Sequence, residues 1–160
     1  MKKTIALLYS LAALFIFTAC ENDYGVFNSD NKPEVPVTFP GTTTHGFNPY
    51  ITRSIADTTS AIEFTLAIPS ESPRSIKEIT KVAVGASSIN PGTAVEGTYI
   101  SEPILGNGKT ATFSTTFQEL REAVPAALLA SGQEVAFMFV VTLDNGDTII
   151  PVQVRIRFTA

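Results

Sequence analysis

Strict alternation of apolar and polar residues most constrains the fold of this chain of 160 residues. Because side chains of a strand point alternately to opposite faces, such a period predicts half-buried strands rather than helices. Two runs near the C-terminus show it, at Val135, Phe137, Phe139, Val141 and Leu143 and again at Ile150, Val152, Val154, Ile156 and Phe158. Asn145-Gly146 between them tolerates the backbone of a tight turn, so we expect a hairpin. Its second strand should direct Val152, Val154 and Ile156 inward and Arg155 and Arg157 outward.

The same reasoning predicts earlier strands and one helical interruption. Ile62, Phe64, Leu66 and Ile68 alternate, a strand is expected across 79–85, and Gly106-Asn107-Gly108 marks a turn before a strand at 110–115. Thr116 and Glu119 have the spacing of a capping box, which starts a helix. Pro125 suits the first turn of a second helical piece, and Gly132 is placed to end it.

These elements together predict a mainly β domain. Several short strands, frequent turn signals and one helical crossover over about 116–131 favour an immunoglobulin-like or fibronectin-like antiparallel β-sandwich. The chain has one cysteine and no tryptophan, so the disulfide and the core tryptophan of antibody domains are both missing.

The first twenty residues have the layout of an export signal. Lys2 and Lys3 precede an apolar stretch over 5–17, and the small residues Thr18 and Ala19 stand before Cys20. A membrane-spanning helix needs about 20 apolar residues, so this stretch is too short to remain in the bilayer. A plain secretory signal with an unmodified cysteine is the other interpretation.

Phe17-Thr18-Ala19-Cys20 resembles the lipobox of bacterial lipoproteins, although leucine is usual at the first position. The resemblance implies a signal peptide over 1–19, lipidation of Cys20 and anchoring to the outer membrane, facing the periplasm or the cell surface. The polar, acidic composition of the following stretch predicts a tether over 20–34, and the strand pattern places the sandwich domain over 35–160. Two acyl chains suffice for stable anchoring. Glu21, Asn22 and Asp23 resemble the acidic export tag of surface-exposed lipoproteins, the alternative being an ordinary polar linker.

Two further resemblances bear on function. Residues 136–146 and 149–157 resemble the ending of small outer-membrane lipoproteins with an immunoglobulin-like domain, which are carried near glycan-uptake genes in Gram-negative bacteria. This resemblance implies a binding or accessory role, with a glycan or an outer-membrane protein complex as partner. Thr58 and Thr148, each following an aspartate, resemble the acceptors of a periplasmic O-glycosylation system.

Composition and motifs argue against several kinds of site. Asp and Glu number 15 against 11 Lys and Arg, and the basic residues are scattered, so nucleic acid is not expected as a partner. His45 is the only histidine and Cys20 the only cysteine, which leaves a zinc site without ligands. The segment 85–89 lacks the second glycine of a nucleophile elbow, and 144–147 lacks the spacing of a calcium loop. We therefore predict no metal and no cofactor.

One loop is the best candidate for ligand contact. The stretch 41–50 is rich in Gly, Thr and Pro and contains His45, Phe47, Asn48 and Tyr50. Aromatic rings could stack on sugar rings while the amide bonds hydroxyl groups, and loops on a rigid scaffold commonly carry binding. The alternative is that Phe47 and Tyr50 fold back to cover the core.

The sequence thus predicts a non-catalytic surface lipoprotein that acts as a binding or accessory module. The alternative is an extracytoplasmic hydrolase whose carboxylate pair is not recognisable in the sequence, since a chain with 15 acidic residues always offers some pair. A cleft in which two carboxylates converge would favour the hydrolase.

Overall fold

A computed structural model describes residues 34–44 and 48–160. The strands there are β1 (Tyr50–Ser54), β2 (Ile62–Ala67), β3 (Ile76–Gly85), β4 (Ile104–Leu105), β5 (Thr110–Thr115), β6 (Glu134–Leu143), β7 (Thr148–Ile149) and β8 (Val154–Thr159). The helices are α1 (Pro91–Ala94), α2 (Phe117–Ala123) and a 3-10 turn (Ala126–Leu129). The predicted mainly β character is confirmed. The predictions on the signal peptide, Cys20 and the tag Glu21, Asn22 and Asp23 fall outside the described residues.

The strands form two sheets. The larger has the order β1-β8-β6-β3-β4, with β7 also paired to β6, and the smaller joins β2 to β5. Their apolar faces meet in one core, where the Phe113 ring of the small sheet lies 5.4 Å from that of Phe137 and 5.3 Å from that of Phe139 in the large sheet. The fold is therefore β-sandwich-like.

Strand β6 is buried on both faces, which differs from the half-buried strand that the alternation predicted. Phe137 and Phe139 point into the main core, whereas Met138 and Val140 on the other face form a second apolar cluster with Ala94 of α1. The buried Gln153 side chain fastens the segment before α1, since its amide donates to the Ser87 carbonyl at 2.8 Å. Met138 and Val140 alternate along β6 with the residues of the main core, and because they are apolar they need the cover that α1 provides.

The C-terminal hairpin is interrupted, so one of its expected inward residues was assigned wrongly. The chain leaves the ladder between β7 and β8, and Val152 in this gap is 56% exposed. Pro151, which has no amide hydrogen to donate to a ladder, lies in the same gap. Val154 and Ile156 do point inward, as predicted. Gly146 takes a φ of +91° in the turn between β6 and β7, a backbone that suits glycine.

The sandwich is not wholly antiparallel, contrary to the prediction. Strand β1 runs parallel to β8, with Tyr50 opposite Arg155 and Ser54 opposite Thr159. Parallel neighbours need a crossover connection, and here it comprises the six strands between them along the chain. Alternation in one strand carries no information about the direction of its partner, so the sequence pattern could not reveal this pairing.

The helical insert lies where the capping box placed it. The Thr116 hydroxyl accepts from the Glu119 amide at 3.2 Å, and the Glu119 carboxylate accepts from the Thr116 amide at 2.8 Å. It is not the only helical piece, because α1 also forms. Asn90 caps this turn and Pro91 opens it, a start signal that the sequence contained.

Candidate functional site

The loop that the sequence favoured for binding is a short connection between paired residues. Thr43 and Tyr50 exchange backbone hydrogen bonds of 2.8 and 2.9 Å, so the loop spans 44–49. His45 and Phe47 lie outside the described residues. Asn48 is half-buried and lines an apolar groove of about 350 Å³ together with Phe39, Pro40 and Val152.

Tyr50 belongs to β1 rather than to the loop. The guanidinium carbon of Arg157 lies 3.7 Å from the centre of its ring, a cation–π contact. Arg157 and Arg155 both donate to the Glu134 carboxylate, at 2.5 and 2.9 Å, so the cation above the ring is held in place. Tyr50, Glu134 and Arg157 line a depression of about 290 Å³ that also includes Gln133. Asn48 and Tyr50 thus line two different depressions, and the structure does not bring them into one.

A larger cleft of about 650 Å³ was not anticipated from the sequence. Elements from both sheets form its walls, because Val84 of β3, Ser114 of β5 and Glu122 of α2 all line it. The remaining wall is the segment after α1, where the Tyr99 amide donates to the Val82 carbonyl at 3.0 Å and so holds this segment against β3. The residues of this segment that line the cleft are Glu96, Gly97, Thr98, Tyr99 and Ile100.

A hydrogen-bond chain crosses from Tyr99 to α2 in this cleft. The Thr115 hydroxyl donates to the Glu119 carboxylate at 2.8 Å and accepts from the Tyr99 hydroxyl at 2.5 Å. The hydrogen bond from Thr115, followed by that from the Thr116 amide, lowers the pKa of Glu119 below its usual range. Glu119 is therefore held as a carboxylate that accepts hydrogen bonds, which is unsuited to donating a proton.

Tyr99 lines the cleft, and its ring packs against the core. The ring centre lies 5.9 Å from that of Phe113 and 5.6 Å from that of Phe137, so the ring is engaged by packing. Burial raises the pKa of the Tyr99 hydroxyl, which keeps it protonated as the donor at the head of the hydrogen-bond chain.

The charge of the cleft has one sign. Glu96, Glu119 and Glu122 line it, and among the residues described there is no Lys or Arg in its lining. The capping box identified Glu119 beforehand, but nothing in the sequence indicated that Glu96 and Tyr99 would face it across the cleft. That proximity arises from the pairing of the segment 97–100 with β3, a tertiary contact that local patterns do not encode.

The other sequence-derived candidates lie at the surface of the domain. Thr58 and Thr148 are both exposed. Within 144–147 the Asn145 side chain bonds to both the Asp147 amide and its carboxylate, which is turn chemistry. In the part of the chain that the structure covers, no group of three or more His, Cys, Asp or Glu side chains is arranged to hold a metal ion.

Comparison with known proteins gives no relative. No protein-family model matches the chain, and no curated protein or solved structure is significantly similar to it. Over 34–44 and 48–160, none of the helices has the length and apolar character needed to cross a membrane.

Proposed function

We propose that the protein is a non-catalytic lipoprotein of the outer membrane, anchored through Cys20, whose sandwich domain serves as a binding module in glycan capture or uptake. The lipobox-like sequence before Cys20 supports the anchoring, and the polar stretch over 20–34 supports a tether between lipid and domain. The resemblance of 136–157 to small lipoproteins encoded near glycan-uptake genes supports the accessory role.

The strand order supports an immunoglobulin-like assignment within the sandwich class. Immunoglobulin domains place strands B and E side by side in one sheet and strands C, F and G in the other. Here β2 pairs with β5, and β3, β6 and β8 are consecutive neighbours in the second sheet. Taking these five strands as B, C, E, F and G in chain order reproduces both adjacencies, with α2 in the E–F connection.

The single observation that carries the glycan proposal is the group around Tyr50. An aromatic ring there stands beside Arg157, Glu134 and Gln133, which together offer hydrogen-bond donors and acceptors. Sugars present apolar C–H faces bordered by hydroxyl groups, and a rigid aromatic ring with fixed polar neighbours matches both features. The ion pairs to Glu134 fix Arg157 before any ligand arrives, which reduces the entropy lost on binding.

Retention on a panel of immobilised polysaccharides tests this proposal with the full chain purified in detergent. We expect Tyr50→Ala to lose retention because the ring is removed, and Tyr50→Phe to keep most of it because the ring remains. Leu105→Ala is the matched control, since Leu105 is 76% exposed on β4 at the opposite edge of the same sheet. Retention that is unchanged in Tyr50→Ala, or absent in the unaltered protein, would contradict the proposal.

A hydrolase is the second candidate function, because three glutamates line the cleft of about 650 Å³. Glycoside hydrolysis uses one carboxyl group as an acid with a raised pKa and a second as base or nucleophile. The lowered pKa of Glu119 argues against it as the acid, and its carboxylate already accepts from the Thr115 hydroxyl and the Thr116 amide, which makes Glu96 and Glu122 the candidate pair. Release of reducing sugar from any polysaccharide that the protein retains, abolished in Glu96→Gln and in Glu122→Gln, would establish this alternative over the binding module.

A further inference from the structure

Strand β5 presents one unpaired edge beside the large cleft. Ala67 directs both its amide and its carbonyl to Thr38, at 2.9 and 2.8 Å, and hence away from β5. Backbone groups in an antiparallel ladder alternate in direction from one residue to the next. The residues of β5 that bond to β2 are therefore 111, 113 and 115, and those at the even positions point to the opposite side.

The backbone hydrogen bonds of Thr110 follow this alternation. Because Thr110 is bonded to Asn107, the unpaired part of the edge consists of Thr112 and Ser114. The Thr110 carbonyl accepts from the Asn107 amide at 2.7 Å on the side away from β2. Thr112 and Ser114 then direct their amides and carbonyls to the same side, where no described strand pairs with them. Proline, lysine and bulges commonly protect such an edge, yet β5 reads Thr-Ala-Thr-Phe-Ser-Thr and has no register shift against β2.

The cleft provides space and charge next to this edge. Ser114 itself lines the cleft, whose volume of about 650 Å³ accommodates several residues of an extended chain. Glu96, Glu119 and Glu122 all line this cleft, and its lining contains no basic residue among those described. An extended segment that hydrogen-bonds to the edge would place every second side chain on one face, and the charge of the cleft favours lysine or arginine there.

We propose that the cleft binds an extended basic segment of a partner protein, which adds to the small sheet as a strand beside β5. Backbone bonds to Thr112 and Ser114 would give affinity, and the carboxylates of Glu96 and Glu122 would select basic side chains. Glu119 is already engaged by the Thr115 hydroxyl and the Thr116 amide, so it adds negative charge rather than a new contact. The site shares no lining residue with the depression at Tyr50, and the inference stands whether or not glycan binds there.

Fluorescence anisotropy with a labelled peptide of about six residues, Lys-Val-Lys-Val-Lys-Val, tests the proposal on the full chain in detergent. The comparison peptides replace every lysine by glutamate or methylate every backbone amide, because the amides of alternate residues point to opposite edges of a strand. We expect saturable binding of the basic peptide, weakened by about tenfold or more by N-methylation and absent with glutamate. Equal binding of the methylated peptide would show that attraction is only electrostatic and would overturn strand addition, as would failure of the basic peptide to bind.

Protein variants locate the contact. Ser114→Pro removes an amide that points away from β2, so the ladder keeps its bonds while the edge loses a donor. We expect this variant and the double substitution Glu96→Gln with Glu122→Gln each to weaken binding by about tenfold. Glu63→Gln is the matched control, because Glu63 is an exposed acid of β2 directly opposite Ser114 and outside the cleft. Equal weakening by Glu63→Gln, or unchanged binding in folded Ser114→Pro, would overturn the proposal.

Discussion

Val152 and Ile156 belong to one alternating run and are both aliphatic, yet they differ in burial. Ile156 is fully buried in β8, whereas Val152 lies in the gap after Pro151 and is 56% exposed. The side-chain pattern alone assigns the two residues the same environment. The difference comes from the backbone, since a proline interrupts the ladder and lets the chain between β7 and β8 leave the sheet.

Substituting aspartate at positions 152 and 156 distinguishes the burial that the alternation predicts from the burial that the structure shows. Ile156→Asp would bury a carboxylate without a partner and should lower the free energy of unfolding by roughly 4 kcal/mol. Val152→Asp should change it by less than about 1 kcal/mol, because position 152 is in contact with water. Urea denaturation followed by tyrosine fluorescence measures both. Similar losses in the two variants would mean that β8 extends through the gap.

Glu119 predicts a pH dependence with a definite sign. Its folded-state pKa lies below the unfolded value, so its contribution to stability is present above about pH 4.3 and is lost as the pH falls through the folded pKa. Glu119→Gln should therefore be less stable than the unaltered protein at pH 7, and the difference should shrink in acid. Melting temperatures of the two proteins between about pH 7 and pH 3 test this. A difference that stays constant over that range would contradict the assignment.

At the scale of elements, the wall of the large cleft depends on a close approach between Gly97 and β3. A Cβ atom at position 97 would lie 2.6 Å from the Val82 carbonyl oxygen, inside van der Waals contact with backbone that cannot move without disturbing the strand. Gly92 in α1 is different, because the nearest atom to its added Cβ is 3.4 Å away and belongs to the Asn90 side chain.

Gly97→Ala should accordingly destabilise the protein by about 2 kcal/mol or more, and it should displace the segment that carries Glu96 and Tyr99. Gly92→Ala is the control and should be tolerated, since it adds a methyl group where space exists and reduces the freedom of the unfolded chain. Thermal unfolding of both variants gives the comparison. If Gly97→Ala unfolds at the same temperature as Gly92→Ala, the close approach to β3 is not present in solution.

Local sequence patterns were sufficient to predict the positions of some helices and strands but not of others. Helix α2 could be placed because Thr116 and Glu119 satisfy each other within one turn, and β2 because Ile62, Phe64 and Leu66 mark a buried face. The parallel pairing of β1 and the large cleft could not be placed. Both depend on which distant segments become neighbours, and alternation specifies burial but not the partner.

The candidate site shows the same division. Tyr50 was singled out as an aromatic of a binding loop, whereas the structure places it in β1, and its neighbours Glu134 and Arg157 lie more than 80 positions further along the chain. Asn48 was grouped with Tyr50 because both belong to the stretch 41–50, which is rich in Gly, Thr and Pro and was expected to form one loop. Tyr50 begins β1 whereas Asn48 precedes the strand, and the two residues line different depressions.

For the whole molecule, anchoring should depend on one thiol. Cys20→Ala removes the only cysteine, and therefore the sole acceptor for lipid in the proposed scheme. We expect the variant to incorporate no radiolabelled fatty acid and either to remain uncleaved or to leave the membrane fraction, while its sandwich folds normally. Label in the variant would disprove the lipoprotein assignment. Circular dichroism of the variant checks that only attachment, and not folding, has changed.

The pairing of β1 with β8 joins distant parts of the chain and therefore affects the order of events in folding. The Ser54 hydroxyl bonds to the Ala160 carbonyl, so two segments 106 positions apart close the same edge of the sheet. Until β8 is in place, β1 has no other partner strand in the sheets formed by the described residues. Since contacts of such long sequence separation slow folding, we expect the pairing of β1 with β8 to be a late step in folding of the domain.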